Sequence, residues 1–205
     1  MTTNKQIISE ALRYSSKGWR VIPLHSPLSN GKCSCNNSNC PSPGKHPLRK
    51  WKSENGSPLS EYLDQPEGTI KQLWSDHCSA NIGILTGQIS GILVLDIDPK
   101  NKGDQSLQKL EEENEPLPKT VMTSTGGGGY HYYFKMPEGV DIKNSASKIA
   151  PGLDIRGNGG YVVAPPSLHV SGTLYKWINP PWDYATAELP EWMYRLIFEP
   201  SNEKD

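Results

Sequence analysis

The residues best placed to do chemistry are acids at the end of an apolar run. Gly91-Ile-Leu-Val-Leu-Asp96-Ile-Asp98 reads as a buried strand closing in D-x-D. Side chains alternate along a strand, so Asp96 and Asp98 leave from one face. Two carboxylates that close repel each other unless a cation lies between them, and hard divalent ions such as Mg²⁺ or Mn²⁺ prefer such oxygen donors. The alternative is a strand end where acids meet water. A third acid, Asp154, sits in Leu153-Asp154-Ile155-Arg156. A charge flanked by apolar residues needs a partner. That partner is either a metal shared with Asp96 and Asp98 or Arg156 on the same strand face.

Between these segments lies Ser124-Thr-Gly-Gly-Gly-Gly-Tyr-His131. Consecutive glycines let backbone N–H groups approach an anion, which makes Gly127, Gly128 and Gly129 candidates for phosphate binding. His131 opens the next strand and is placed to donate to a phosphate. No Lys-Ser/Thr follows the glycines, so this is not a Walker A loop. Arg156 can pair with phosphate oxygens. Ser167 and His169 can contact a triphosphate or sugar, or serve equally as core and turn residues.

A second constellation is C-x-C-x4-C-x5-H: Cys33, Cys35, Cys40 and His46. Three thiolates and an imidazole form a closed tetrahedral set suited to structural Zn²⁺. The first spacing is tighter than C-x2-C, and surface cysteines in a flexible loop are the alternative. His25 is a substitute ligand, while Cys78, alone beside Trp74, reads as a packed thiol. Residues 25–58 show no periodicity, and a bound metal would explain so long an irregular segment.

The elements that must carry these residues follow from periodicity and turn signals. Helices are expected over 4–17, capped by Thr2 or Thr3 and stopped by Gly18, and over 69–77, 105–113 and 190–198. Strands are expected over 19–24, 81–86, 92–98, 120–124, 130–135 and 173–178. The 81–86 and 92–98 strands are joined by a tight Gly87–Gly91 turn, and 153–156 pairs with 161–164 as a hairpin around Asn158-Gly159. The fold class is α+β, or mixed α/β, with a largely antiparallel sheet.

The chain has 205 residues and a formal net charge of -1, from 21 Lys+Arg against 22 Asp+Glu. That argues against a uniformly basic nucleic-acid binder. The charge is segregated, however: residues 11–53 hold Arg13, Lys17, Arg20, Lys32, Lys45, Arg49, Lys50 and Lys52 and no acid. A basic N-terminal region can track phosphates. No apolar run approaches a membrane span and no signal peptide is apparent, so an intracellular, cytoplasmic location without membrane partners is expected.

The order of the motifs is more specific than any one of them. C-x-C-x4-C with GKHP (44–47), NIGILTG (81–87), GILVLDID (91–98), GGYHYYF (128–134), LDIRGNGGYVVAPPS (153–167) and YKW (175–177) together resemble the primase–polymerase domain of the archaeo-eukaryotic primase superfamily. The resemblance implies a two-lobed core with an RRM-like sheet, carrying the 25–58 segment as a zinc-binding insert. One catalytic domain over 1–205 with a flexible tail at 199–205 is expected. It implies primer synthesis and extension from NTPs or dNTPs on single-stranded DNA, in a bacterial, archaeal, phage or plasmid setting. Asp96, Asp98 and Asp154 match the acids that hold two catalytic Mg²⁺ or Mn²⁺ ions. His131 matches the histidine that contacts phosphates, and Cys33, Cys35, Cys40 and His46 match the metal-binding loop. Gly129 stands where the wider superfamily often has Ser or Thr, and its amide is expected to replace the hydroxyl. A replicative helicase is the expected protein partner. Two other readings stay open: a non-catalytic zinc-containing module that binds single-stranded nucleic acid, and a metal-dependent nuclease.

Overall fold

The computed structural model describes residues 3–198 apart from Gly56; the expected 199–205 tail lies outside the described residues. The first helix, α1, runs Asn4–Ser16. Thr3 caps it: its hydroxyl accepts from the Gln6 N–H while the Gln6 side chain accepts from the Thr3 N–H. This reciprocal pairing satisfies two otherwise free helix-end donors. Ile7, Ala11 and Tyr14 form its buried stripe, and Gly18, at φ +83°, turns the chain away.

Strand β1 (Val21–Leu24) follows, then a long irregular segment, α2 (Ser60–Leu63) and α3 (Glu67–Ser75). After these come β2 (Asn81–Leu85), β3 (Ile92–Ile97), α4 (Gly103–Glu113), β4 (Val121–Ser124) and β5 (Tyr130–Lys135). The chain closes with β6 (Ser145–Ala150), β7 (Leu153–Arg156), β8 (Tyr161–Ala164), β9 (Lys176–Asn179) and α5 (Glu191–Phe198). The architecture is mixed α/β, and the strands form two antiparallel sheets. One is β1-β2-β8; the other is β6-β7-β3-β5-β4-β9.

The expected hairpin of 153–156 with 161–164 is corrected by this topology. The Gly87–Gly91 turn is tight, but only Gly87 and Ile92 bridge across it, because β2 and β3 belong to different sheets. Likewise β7 pairs with β3, and β8 with β2, so Asn158-Gly159 marks a crossing from one sheet to the other. The last strand begins later than 173 because Thr173 and Tyr175 first bond back to His169 and Ser167.

Alternation along β3 shows how the large sheet is packed. Leu93, Leu95 and Ile97 join Leu107 of α4 and Trp192 and Met193 of α5 in one core. Ile92 and Val94 point the other way, into a core shared with the small sheet, α1 and α3. There Trp19 stacks on Tyr133 with ring centroids 5.6 Å apart, and the Tyr14 hydroxyl donates to the Pro165 carbonyl at 2.6 Å. Each fully buried Leu or Ile in these layers contributes roughly 1.5–3 kcal/mol. Asp96 lies on the same face as Ile92 and Val94, at the strand end where this second core gives way to an open cleft. Among the described residues, no helix is long and apolar enough to cross a membrane.

Candidate active site

Register across the large sheet brings the predicted acids and histidine into one row. Asp96 lies directly opposite Asp154 on β7 and directly opposite His131 on β5. Directly paired residues have Cβ atoms about 4.5–5.5 Å apart, so these polar groups must interact. Arg156, two residues beyond Asp154 on the same face, resolves the clash of charge. One guanidinium nitrogen lies 2.8 Å from Asp154 Oδ2 and 3.2 Å from Asp96 Oδ2. Asp154 also accepts from the Ser147 N–H at 2.9 Å.

Asp98 follows at the end of β3, where it caps a short 3-10 turn. Its carboxylate accepts from the Lys100 N–H at 3.0 Å and from Asn101 Nδ2 at 2.7 Å. The three acids, Arg156 and His131 all face a cleft of about 440 Å³ between the two sheets. Among the described residues the acids do not form a tight group of ligand atoms, because Arg156 occupies the space between two of them. Arg156 offsets one of the two negative charges of Asp96 and Asp154, and the charge left over fits a site able to hold a further cation.

His131 is buried, with Nε2 3.5 Å from Asp96 Oδ1 and Nδ1 without a hydrogen-bond partner among the described residues. Burial pushes its pKa down; Asp96 opposes this, while Arg156 and Lys45 reinforce it. His169 also lines the cleft, its Nδ1 held by Ser171, and burial with Lys45 and Lys100 depresses it too. His25 is lowered by burial and by His46 and His77. All three rings therefore favour the neutral form in the folded protein. The unfolded chain takes up more protons below its value of 6.5, so these groups give their full stabilisation above that pH and lose it as pH falls through the folded-state pKa. Acidifying from pH 7.5 to 5.5 should lower the Tm. His131→Gln should flatten part of that slope. A Tm that is level or rises on acidification would contradict the assignment of these rings as neutral.

The glycine loop is only partly available to a ligand. Gly127 and Gly129 line the cleft, but Gly128, at φ +94°, makes the turn and does not. The Gly128 N–H donates to the Thr125 carbonyl at 3.1 Å, and the Gly129 N–H donates to Thr125 Oγ1 at 2.9 Å. The expected backbone contact from Gly128 and Gly129 is thus corrected: these amides close their own loop. Gly127 keeps an N–H uncommitted among the described residues, and Thr125 brings a hydroxyl to the cleft wall.

Ser167 is also corrected. It is fully buried away from the cleft, its Oγ accepting from the Ile82 N–H at 2.8 Å and pinning the segment after β8 to β2. Conversely, Lys45, Lys52, Lys100 and Tyr175 line the cleft and were not predicted as site residues. Lys45 lies in the GKHP stretch and Lys100 just after the D-x-D acids, but neither has a spacing that marks a ligand.

Cys33, Cys35, Cys40 and His46 do converge: their ligand atoms all lie within 4.8 Å of one another. Burial pushes the Cys33 thiol up, but donors from Cys35 and Gly44 backbone and from His46 outweigh it and bring the pKa to about 6. That favours the thiolate at Cys33, the form that binds metal, while burial and the neighbouring Cys35 and Cys33 push the Cys40 thiol up. Three soft sulfurs and one imidazole in this space suit tetrahedral Zn²⁺, and the group can hold one ion. His25 lies outside the set and pairs with Ser34 Oγ at 2.8 Å. Cys78 is exposed, not packed, with Sγ 3.4 Å from the Ser75 carbonyl.

The family described as bifunctional DNA primase/polymerase, N-terminal, matches residues 11–192. The chain belongs to this family. The prim-pol match spans both sheets, the Cys₃His loop and every element that lines the cleft. Membership makes the protein a primase/polymerase-type nucleotidyltransferase by family and implies DNA and nucleotide binding. A search of curated proteins gave no match.

Proposed function

We propose that this prim-pol domain synthesises primers de novo and extends them on single-stranded DNA by nucleotidyl transfer from NTPs or dNTPs. The observation that carries this reading is the cross-strand row Asp154–Asp96–His131, with Arg156 bonded to both acids, at the wall of one cleft. Binding alone needs no such pair of facing acids, and a bare phosphodiester does not need so many cations.

Asp96, Asp98 and Asp154 are the residues that would hold Mg²⁺ or Mn²⁺. Such ions, when bound, supply charge neutralisation at the triphosphate and acidify the attacking 3′-hydroxyl. Arg156 offsets one of the two charges of Asp96 and Asp154 and, with its remaining donors, would be a partner for phosphate oxygens. His131 sits beside Asp96 as a neutral imidazole, able to donate one N–H to a phosphate without adding a charge. The Gly127 N–H and Thr125 hydroxyl offer further donors at the same wall. A replicative helicase is the proposed protein partner, and the cytoplasm of a cell carrying a replicating element the proposed setting.

A labelled single-stranded template incubated with and without nucleotides and Mg²⁺ or Mn²⁺ separates the readings. Synthesis of primers and their extension is expected. Retention of the template without product would favour a binding module, and shortening of the template a nuclease. Running NTPs beside dNTPs gives the sugar preference.

A further inference from the structure

The metal-binding group and the cleft are joined by one short turn. Residues 44–47 run from Gly44, whose backbone contacts Cys33, to Pro47, with His46 as a member of the Cys₃His set. All three strands of the small sheet hold this turn. Next to β1, the His25 N–H donates to the His46 carbonyl at 2.9 Å, and Pro47 bridges Leu24. On β2, Asn81 Nδ2 donates to the Gly44 carbonyl at 2.9 Å. On β8, the Tyr161 hydroxyl donates to the Lys45 carbonyl at 3.0 Å. Gly44 takes φ +77°, and a Cβ there would run into Pro27, so the turn accepts no other residue without shifting.

The side chain so positioned is Lys45. It is exposed, makes no ion pair among the described residues, and lines the cleft across from the carboxylates. Lys100 faces the same space. A fixed backbone leaves only the side chain to be ordered on binding, and a compact ammonium facing a cleft is suited to a phosphate. Arg156 is already engaged by two acids, so Lys45 is a cation free for a triphosphate from the outset.

We propose that the Cys₃His loop is a nucleotide-binding element: the metal fixes the 44–47 turn, and Lys45 on that turn binds the triphosphate from the small-sheet wall. This rests on the nucleotide-transfer reading above, and it assigns the loop to the substrate and not to the DNA template. The turn meets the cleft through Lys45, whereas Lys50, on the same basic stretch, is exposed and lies outside it.

The probe is α,β-methylene-ATP with Mg²⁺, which binds without reacting, titrated into the zinc-loaded protein alongside a labelled single-stranded oligonucleotide. Lys45→Ala should weaken the nucleotide by about tenfold or more, the order expected for one charge-assisted contact, and leave oligonucleotide affinity within about twofold. Lys50→Ala should leave nucleotide affinity within about twofold. Zinc content should be about one ion per chain, and Cys40→Ser should abolish it. Zinc-free protein that keeps its far-UV circular dichroism should lose nucleotide affinity as Lys45→Ala does, and Lys45→Ala without zinc should lose little more. Lys45→Ala binding nucleotide like the parent, while Arg156→Ala weakens it, would overturn this proposal alone. Zinc loss that weakens only the oligonucleotide would overturn it too. Failure of the parent protein to bind the analogue in both its ribo and its deoxy form would overturn the nucleotide-transfer reading beneath it.

Discussion

Asp96→Asn should leave the protein folded and abolish nucleotide incorporation. Asp96 is the middle of the row: Asp154 is its neighbour on one side, His131 on the other, and Arg156 bonds to it from the same face. Asparagine keeps the shape and can still accept a hydrogen bond, but it removes the charge. The cost to folding is small. Arg156 keeps Asp154 at 2.8 Å, and the Asp96 side chain is 26% exposed, so the lost pair costs about 1 kcal/mol or less. The cost to chemistry is large, because the central carboxylate faces both the cation positions and the phosphate-side histidine. Primer synthesis and extension should fall by at least about a hundredfold with either Mg²⁺ or Mn²⁺. Gel-based primer assays and a thermal melt on the same preparation check both halves. A folded Asp96→Asn protein that primes normally would remove Asp96 from the active site.

Much of this was legible because each signal is local. D-x-D at the end of an apolar strand and the alternation of Leu93, Leu95 and Ile97 follow from pleat geometry alone. The Cys₃His set is legible because little but a metal can order a stretch with so few apolar residues. The strand partners on either side of two turns were not legible. A tight turn after β2 and Asn158-Gly159 after β7 are good hairpin signals, yet each joins strands that find better partners at long range. Strand β6 was not legible because its apolar residues, Ala146, Ile149 and Ala150, do not alternate with polar ones. Ser167 was misread because a serine that pins a buried strand and one that binds a ligand look alike in sequence. Lys45 was overlooked as a ligand for the opposite reason: its position depends on three strands that meet only in the fold.

Gly129→Ala should damage stability and activity together, and comparison with Gly128→Ala tells why. Gly129 enters β5 beside the paired residues Ile97 and Tyr130. A Cβ there would overlap the Ile97 carbonyl oxygen and press on Pro99 Cδ at 3.2 Å. The obstacle is backbone, so β3 and β5 must part locally, one residue from Asp98 and two from His131. Overpacking of this kind costs about 1–3 kcal/mol, which should lower the Tm by roughly 2–10 °C. Primer synthesis should fall further than the stability loss explains, at least about tenfold at a temperature where the variant is still folded, since a 1 Å displacement of catalytic groups is costly. At Gly128 a Cβ meets nothing within 4 Å, and the penalty comes from the φ of +94° alone. Gly128→Ala should therefore lose about 1–2 kcal/mol while leaving Asp98 and His131 in place and most of the activity intact. Equal loss of activity in the two variants would mean that the glycine loop acts through its own flexibility. Loss confined to Gly129→Ala would show that its task is to let β3 and β5 close together and set the spacing of the acids and His131.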